Sequence, residues 1–136
     1  MKNLVMTICM NYSYDIFNRF IGSLFDSVDN NVELVIFIND TDEVHLKKLK
    51  NIYPNIKYYI VNNKDIHIVN YRFYLYYIFL IKNINTYNLI FICDSRDVLF
   101  QKNIFTHPII NDKYDLYIFQ EETDNITIDK CRFNSL

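Results

Sequence analysis

The chain alternates short, unbroken apolar runs with longer stretches in which apolar residues recur every three or four positions. Leu4-Val5-Met6-Thr7-Ile8-Cys9 predicts a strand covered on both faces, because apolar residues do not alternate with polar ones. Asp15 to Val28 has helical spacing, with Ile16, Phe17, Phe20, Ile21, Leu24, Phe25 and Val28 along one face. Glu33 to Ile38 predicts a second buried strand, stopped by Asn39-Asp40-Thr41-Asp42. Thr41 or Asp42 caps the next helix, which carries Val44, Leu46 and Leu49. Pro54-Asn55 ends that helix, and Ile56 to Val61 makes a third strand. After the polar stretch Asn62 to Asp65, a helix is predicted from about Ile68 to Asn83. Its apolar residues run nearly all the way round, so it is expected to be largely buried. Asn88 to Cys93 is the fourth strand, a short turn or helix surrounds Asn103 to Phe105 before Pro108, and Asp115 to Gln120 is the fifth strand. The remainder, Glu121 to Leu136, is polar and poorly patterned.

The order β-α-β-α-β-α-β-β implies a mostly parallel sheet with helices on both faces, a three-layer α/β/α sandwich. Its crossovers are expected to be right-handed. No internal repeat or linker divides the 136 residues, so one domain spanning 1–136 is expected.

Composition narrows the function. The net charge of -2 offers no basic excess for nucleic acid. Three cysteines at wide spacing, Cys9, Cys93 and Cys131, make neither a disulfide framework nor a zinc site. Reduced, buried thiols fit a soluble protein of the cytoplasm. The apolar run Phe73 to Ile81 is too short to span a bilayer, so no transmembrane segment is expected. The 21 isoleucines and 18 asparagines reflect a coding bias, so single Asn, Ile or Tyr residues carry little meaning. The one glycine, Gly22, falls inside a helical pattern. Glycine-rich phosphate loops are therefore excluded, and any phosphate must be held by a metal ion, side chains or helix N-termini.

In open α/β sheets ligands sit outside the carboxyl ends of the strands. Those ends offer Asn11, Tyr12 and Tyr14 after the first strand, and Asn39, Asp40 and Asp42 after the second. The third offers Asn62, Asn63, Lys64, Asp65 and His67, the fourth Asp94-Ser95-Arg96-Asp97, and the fifth Glu121, Glu122 and Asp124. Carboxylates gathered at one edge suit a hard divalent cation such as Mn²⁺ or Mg²⁺. The strongest candidate is Asp94 to Asp97, where an apolar strand runs straight into two carboxylates flanking Arg96. Arg96 can offset their repulsion or meet a phosphate.

Phe91-Ile92-Cys93-Asp94-Ser95-Arg96-Asp97-Val98-Leu99-Phe100-Gln101 resembles the strand-to-metal junction of glycosyltransferases with the GT-A fold, the nucleotide-diphospho-sugar transferase superfamily. A subgroup of that family carries an Asp-x-Arg-Asp-Val-x-Phe-Gln form, as Asp94 to Gln101 does. Asn70-Tyr71-Arg72-Phe73 and Phe37 to Asp42 add weaker likenesses, and the resemblance spans roughly Leu4 to Glu122. It implies transfer of a sugar from a nucleotide-diphosphate donor, most simply a UDP-sugar, to a glycan, lipid or protein acceptor, with Mn²⁺ or Mg²⁺ as cofactor. On that resemblance Asp97 binds the metal bridging the phosphates, and Asp94 contacts the ribose or donor sugar. Arg72 faces the diphosphate or sugar, Asp40 reads the base, and Asn11, Ser95 and Arg96 complete the donor-binding set. The two acids stand three apart rather than two, which leaves open whether Asp94 or Asp97 meets the metal. The acceptor half of the fold would begin where the chain stops. If the reaction inverts the sugar, Glu121 or Glu122 is placed to act as base.

Each position also has a structural alternative. Asp94 to Asp97 makes a competent turn, Asp40-Thr41-Asp42 a helix cap, Arg72 a solvent-facing helix start and Glu121-Glu122 a solvated strand end. The competing function is a non-catalytic α/β module that binds a partner through its open edge. A metal-dependent nucleotidyltransferase or phosphatase would use similar carboxylates but lacks its phosphate loop here.

Overall fold

The structure, a computed structural model, describes residues 1–62 and 67–119. The apolar runs form four strands: β1 (Lys2–Ile8), β2 (Val32–Ile38), β3 (Ile56–Ile60) and β4 (Tyr87–Ile92). The helical spacings form α1 (Tyr14–Ser27), α2 (Glu43–Ile52) and α3 (Ile68–Asn83). All strand pairs are parallel, in the order β3-β2-β1-β4. The two inner strands carry the most continuous apolar runs, and all seven residues of β2 are buried.

Side chains of alternate strand residues enter opposite faces of the sheet. One face packs Val5, Leu34, Ile36 and Ile38 against Phe17, Phe20, Ile21 and Leu24 of α1 and Leu46 and Leu49 of α2. The other packs Leu4, Met6, Val35 and Phe37 against Tyr76 and Phe79 of α3. The chain thus winds outward through β1, β2 and β3 on one side. It returns through α3 to lay β4 on the far side of β1. That reversal of strand order between β1 and β4 is the switch point at which such sheets open a crevice.

At the opposite, amino end, every strand contributes to one buried clasp. Glu33 of β2 accepts from Lys57 Nζ at 2.9 Å, lies 3.6 Å from Lys2 Nζ, and accepts a hydrogen bond from the Tyr87 hydroxyl. Burial alone would raise the Glu33 pKa. The hydrogen bonds from Lys57 and Tyr87, and the charges of Lys57 and Lys2, outweigh it and hold Glu33 below the usual carboxylate range.

Two expectations fail. The described part of the fifth strand, Asp115 to Phe119, is not a strand, and among the described residues β4 is an edge of the sheet. Local bonds hold that segment instead: the Tyr117 hydroxyl donates to the Asn111 carbonyl and accepts from the Asn111 amide at 3.0 Å. Such side-chain-to-backbone bonds compete with a ladder. Helix α3 is also not largely buried, since only Tyr76 and Phe79 are fully enclosed. The sheet covers one of its faces, and Phe73, Tyr74, Tyr77 and Ile81 are more than half exposed.

Candidate functional site

The end of β4 is tied to the end of β1. Cys93 N continues the ladder one residue beyond the strand, donating to Met6 O at 3.3 Å. Thr7 Oγ1 donates to the Cys93 carbonyl at 2.7 Å, and Ser95 Oγ donates to the Ile8 carbonyl at 3.0 Å. Ser95 is buried, so it is the peg of the turn, while Asp94, Arg96 and Asp97 are exposed. From α1, Arg19 Nη2 donates to the Arg96 carbonyl at 2.6 Å. The polar residue types at 94–97 therefore divide by role: Ser95 fixes the backbone, and its three neighbours are presented to solvent.

Those neighbours meet the start of α3. Arg72 forms an ion pair with Asp94 through Nη1, and its guanidinium lies 4.9 Å from the Phe73 ring centre. Arg72 Nε is buried without a hydrogen-bond partner among the described residues. The Arg96 guanidinium sits 5.9 Å from the Tyr12 ring centre. Between these groups lies a cleft of 530 Å³ lined by Ile8, Met10, Tyr12, Ile68, Val69, Arg72 and Asp94 to Asp97. A smaller hollow of 270 Å³ shares Arg72 and Asp94 and extends to Phe73 and Ile92. The cleft thus brings two carboxylates and two guanidinium groups to the carboxyl ends of β1 and β4.

Asp94, Arg96, Asp97 and Arg72 come together as the sequence predicts. Ser95 lines the same cleft, but its hydroxyl is committed to Ile8. Asn11 and Asp40 are not among the residues lining the cleft. Asn11 adopts a left-handed backbone, φ 60°, a conformation asparagine tolerates better than most residues. Its amide donates to Asp42 Oδ2 at 2.9 Å, and its side-chain oxygen accepts from Asn39 Nδ2 at 2.8 Å. Asp42 is buried and also accepts from the Asn39 amide at 3.2 Å. Asp42 stands at the N-cap position of α2 but makes no side-chain cap hydrogen bond there; its carboxylate instead locks the loop after β1 to the end of β2. Asp40 is exposed and accepts from the Thr41 amide at 2.8 Å. His67 caps α3, its Nδ1 accepting from Val69 N at 3.4 Å. Glu121, Glu122, Asp124, Asn63, Lys64 and Asp65 lie outside the described residues.

Three residues hold roles beyond those the sequence assigns, although Tyr12 and Asp42 already stand among its strand-end positions. Tyr12 stood at the right strand end but among too many tyrosines to single out. Arg19 gave no signal, being a polar residue on an otherwise ordinary helix. Asp42 had one, since Asn39 and Asp42 stand at capping-box spacing.

Cys9 and Cys93 are not activated thiols. Burial pushes the Cys9 thiol up to about 12, although the Ser95 side chain opposes the shift. Burial, with Asp94 nearby, does the same to Cys93, also to about 12. Burial thus favours the protonated thiol in both, the less nucleophilic and less metal-binding form.

Among the described residues no three His, Cys, Asp or Glu side chains converge as a metal cage. Mg²⁺ and Mn²⁺ do not need one where a phosphate substrate and water complete the shell, and one or two carboxylates suffice. Asp94 and Asp97 are the two carboxylates that line the cleft. The Arg72–Asp94 pair is a partly exposed ion pair of small net strength, and a bound cation can replace it. Compared with family models, with curated proteins and with solved structures, the chain has no match in any of the three.

Proposed function

We propose that this chain is the donor-binding domain of a metal-dependent glycosyltransferase of GT-A type, taking a nucleotide-diphosphate sugar, most simply a UDP-sugar. The observation that carries the reading is the convergence of Asp94, Asp97, Arg72 and Arg96 on one cleft at the switch point of a parallel sheet. The Asp94 to Gln101 motif supplies the resemblance that gives this cleft a substrate class.

In this reading Asp97 and Asp94 hold Mn²⁺ or Mg²⁺. The bound cation would neutralise the charge that builds on the leaving diphosphate. Arg96, braced over Tyr12, and Arg72, at the start of α3, contribute fixed positive charge to the same leaving group. Ser95 holds the backbone so that its acidic neighbours need not reorganise. The apolar wall of Ile8, Met10, Ile68 and Val69 excludes water from one side, which strengthens these interactions. The acceptor is a glycan, lipid or protein.

The test is a thermal-shift panel of nucleoside diphosphates and their sugars with Mn²⁺. UDP with Mn²⁺ raises the melting temperature, and Asp97→Ala removes the rise without lowering the melting temperature of the free protein. Absence of a rise with every nucleoside diphosphate and metal combination sinks the proposal.

A further inference from the structure

Helix α3 is apolar on two faces, but the sheet covers only one. Phe73, Tyr74, Tyr77 and Ile81, with Ile84 just beyond the helix, are between 55% and 62% exposed. These five positions fall within about 100° of the helix circumference, so they form one stripe. Ile92 at the β4 edge, 44% exposed, borders the same hollow as Phe73 and continues the surface onto the sheet. Apolar patches of this extent on soluble domains mark interaction sites.

We propose that the stripe is a homodimer interface, in which α3 packs antiparallel against α3 of a second copy about a two-fold axis at Tyr77. Three observations favour a second copy. First, the stripe is self-complementary. Around Tyr77, Phe73 and Ile81 stand four residues to either side, so each meets the other across the axis, as an isologous contact requires. Second, its like charges stay off the stripe. Arg72 and Lys82, five residues either side of Tyr77, reach the same level across the axis but fall roughly 80–100° outside the stripe, and Arg72 is paired with Asp94. Third, the area suits a dimer. The exposed parts of these rings and aliphatic chains, with Ile92, amount to on the order of 600 Å² per partner, or roughly 1,200 Å² for the pair, the lower end of specific interfaces. Asn70 falls opposite Ile84 at the margin, where a polar rim is ordinary. The antiparallel arrangement also opposes the two helix dipoles favourably.

The experiment is sedimentation equilibrium of the purified chain with three variants, Tyr77→Glu, Ile81→Lys and Tyr77→Cys. The wild type sediments as a dimer through the micromolar range. Tyr77→Glu sets two carboxylates face to face at the axis and weakens self-association roughly 100-fold or more. Because Tyr77 is 60% exposed, its circular dichroism and melting curve stay those of a folded domain. Ile81→Lys weakens the dimer in the same sense, and Tyr77→Cys forms an intermolecular disulfide on mild oxidation. A monomeric wild type, a dimer indifferent to Tyr77→Glu, or failure of Tyr77→Cys to cross-link overturns the proposal. So does a monomer that instead sediments with neutral lipid vesicles.

Discussion

Replacing Glu33 by glutamine tests whether the clasp at the amino end of the sheet holds the four strands together. The side chain of Glu33 is 6% exposed, and it bonds groups from β1, β3 and β4. Glutamine keeps the shape and can still accept from Tyr87, but it loses the charge that Lys57 and Lys2 face. Those lysines are about half exposed and can turn to water, so the cost falls below that of stranding a buried cation. The loss is one charge-assisted hydrogen bond, about 2 kcal/mol. For a domain of this size that lowers the melting temperature by roughly 6–10 °C. The pH dependence gives a second handle. The folded pKa of Glu33 is depressed, so its stabilisation is present above its unfolded pKa of about 4.3. It is lost as pH falls through the lower folded value. Urea denaturation of both proteins between pH 7 and pH 3 measures this directly. The gap between wild type and Glu33→Gln stays constant down to about pH 5 and then closes. A variant as stable as wild type at pH 7, or a gap that persists undiminished at the acid end, refutes the clasp.

Three other outcomes follow from the geometry. Asp42→Ala removes the acceptor of the Asn11 and Asn39 amides, both partly open to water, and costs about 1–2 kcal/mol in urea denaturation, with Asp42→Asn costing less. Cys9 and Cys93 resist iodoacetamide at pH 8 in the folded protein and react at ordinary rates in urea, because their thiols are pushed up to about 12. Mass mapping of alkylated peptides separates them from Cys131. Arg72→Met frees Asp94 from its internal cation, so the variant binds Mn²⁺ alone more tightly but UDP with Mn²⁺ more weakly, as measured by calorimetry.

The four strands and three helices were legible because each relies on a local pattern. Unbroken β-branched runs such as Leu34 to Ile38 have few alternatives, and Phe17, Phe20, Ile21 and Leu24 repeat at helical spacing. Periodicity does not say which face of an all-apolar helix the sheet covers, so it predicts an α3 that is largely buried. Nor could it name a ladder partner for Leu116 to Phe119, where a tyrosine–asparagine pairing keeps the chain out of the sheet. The site was legible as far as the rule that ligands sit at strand ends reaches. That rule led to Asp94, Arg96 and Asp97, and the family resemblance at Asn70 to Phe73 added Arg72. Bonds between residues distant in sequence were not legible. Asn11 and Asp42 are 31 positions apart, and Ser95 reaches back 87 positions to Ile8.

The most direct measurement is titration calorimetry of UDP into the chain with Mn²⁺ and, separately, with EDTA. The expected result is saturable one-to-one binding in Mn²⁺ that EDTA abolishes and that the double variant Asp94→Ala, Asp97→Ala loses while remaining folded. Heat of binding unchanged by EDTA or by loss of both aspartates, or no binding under any condition, contradicts the assignment of the cleft to a metal-bound nucleotide diphosphate.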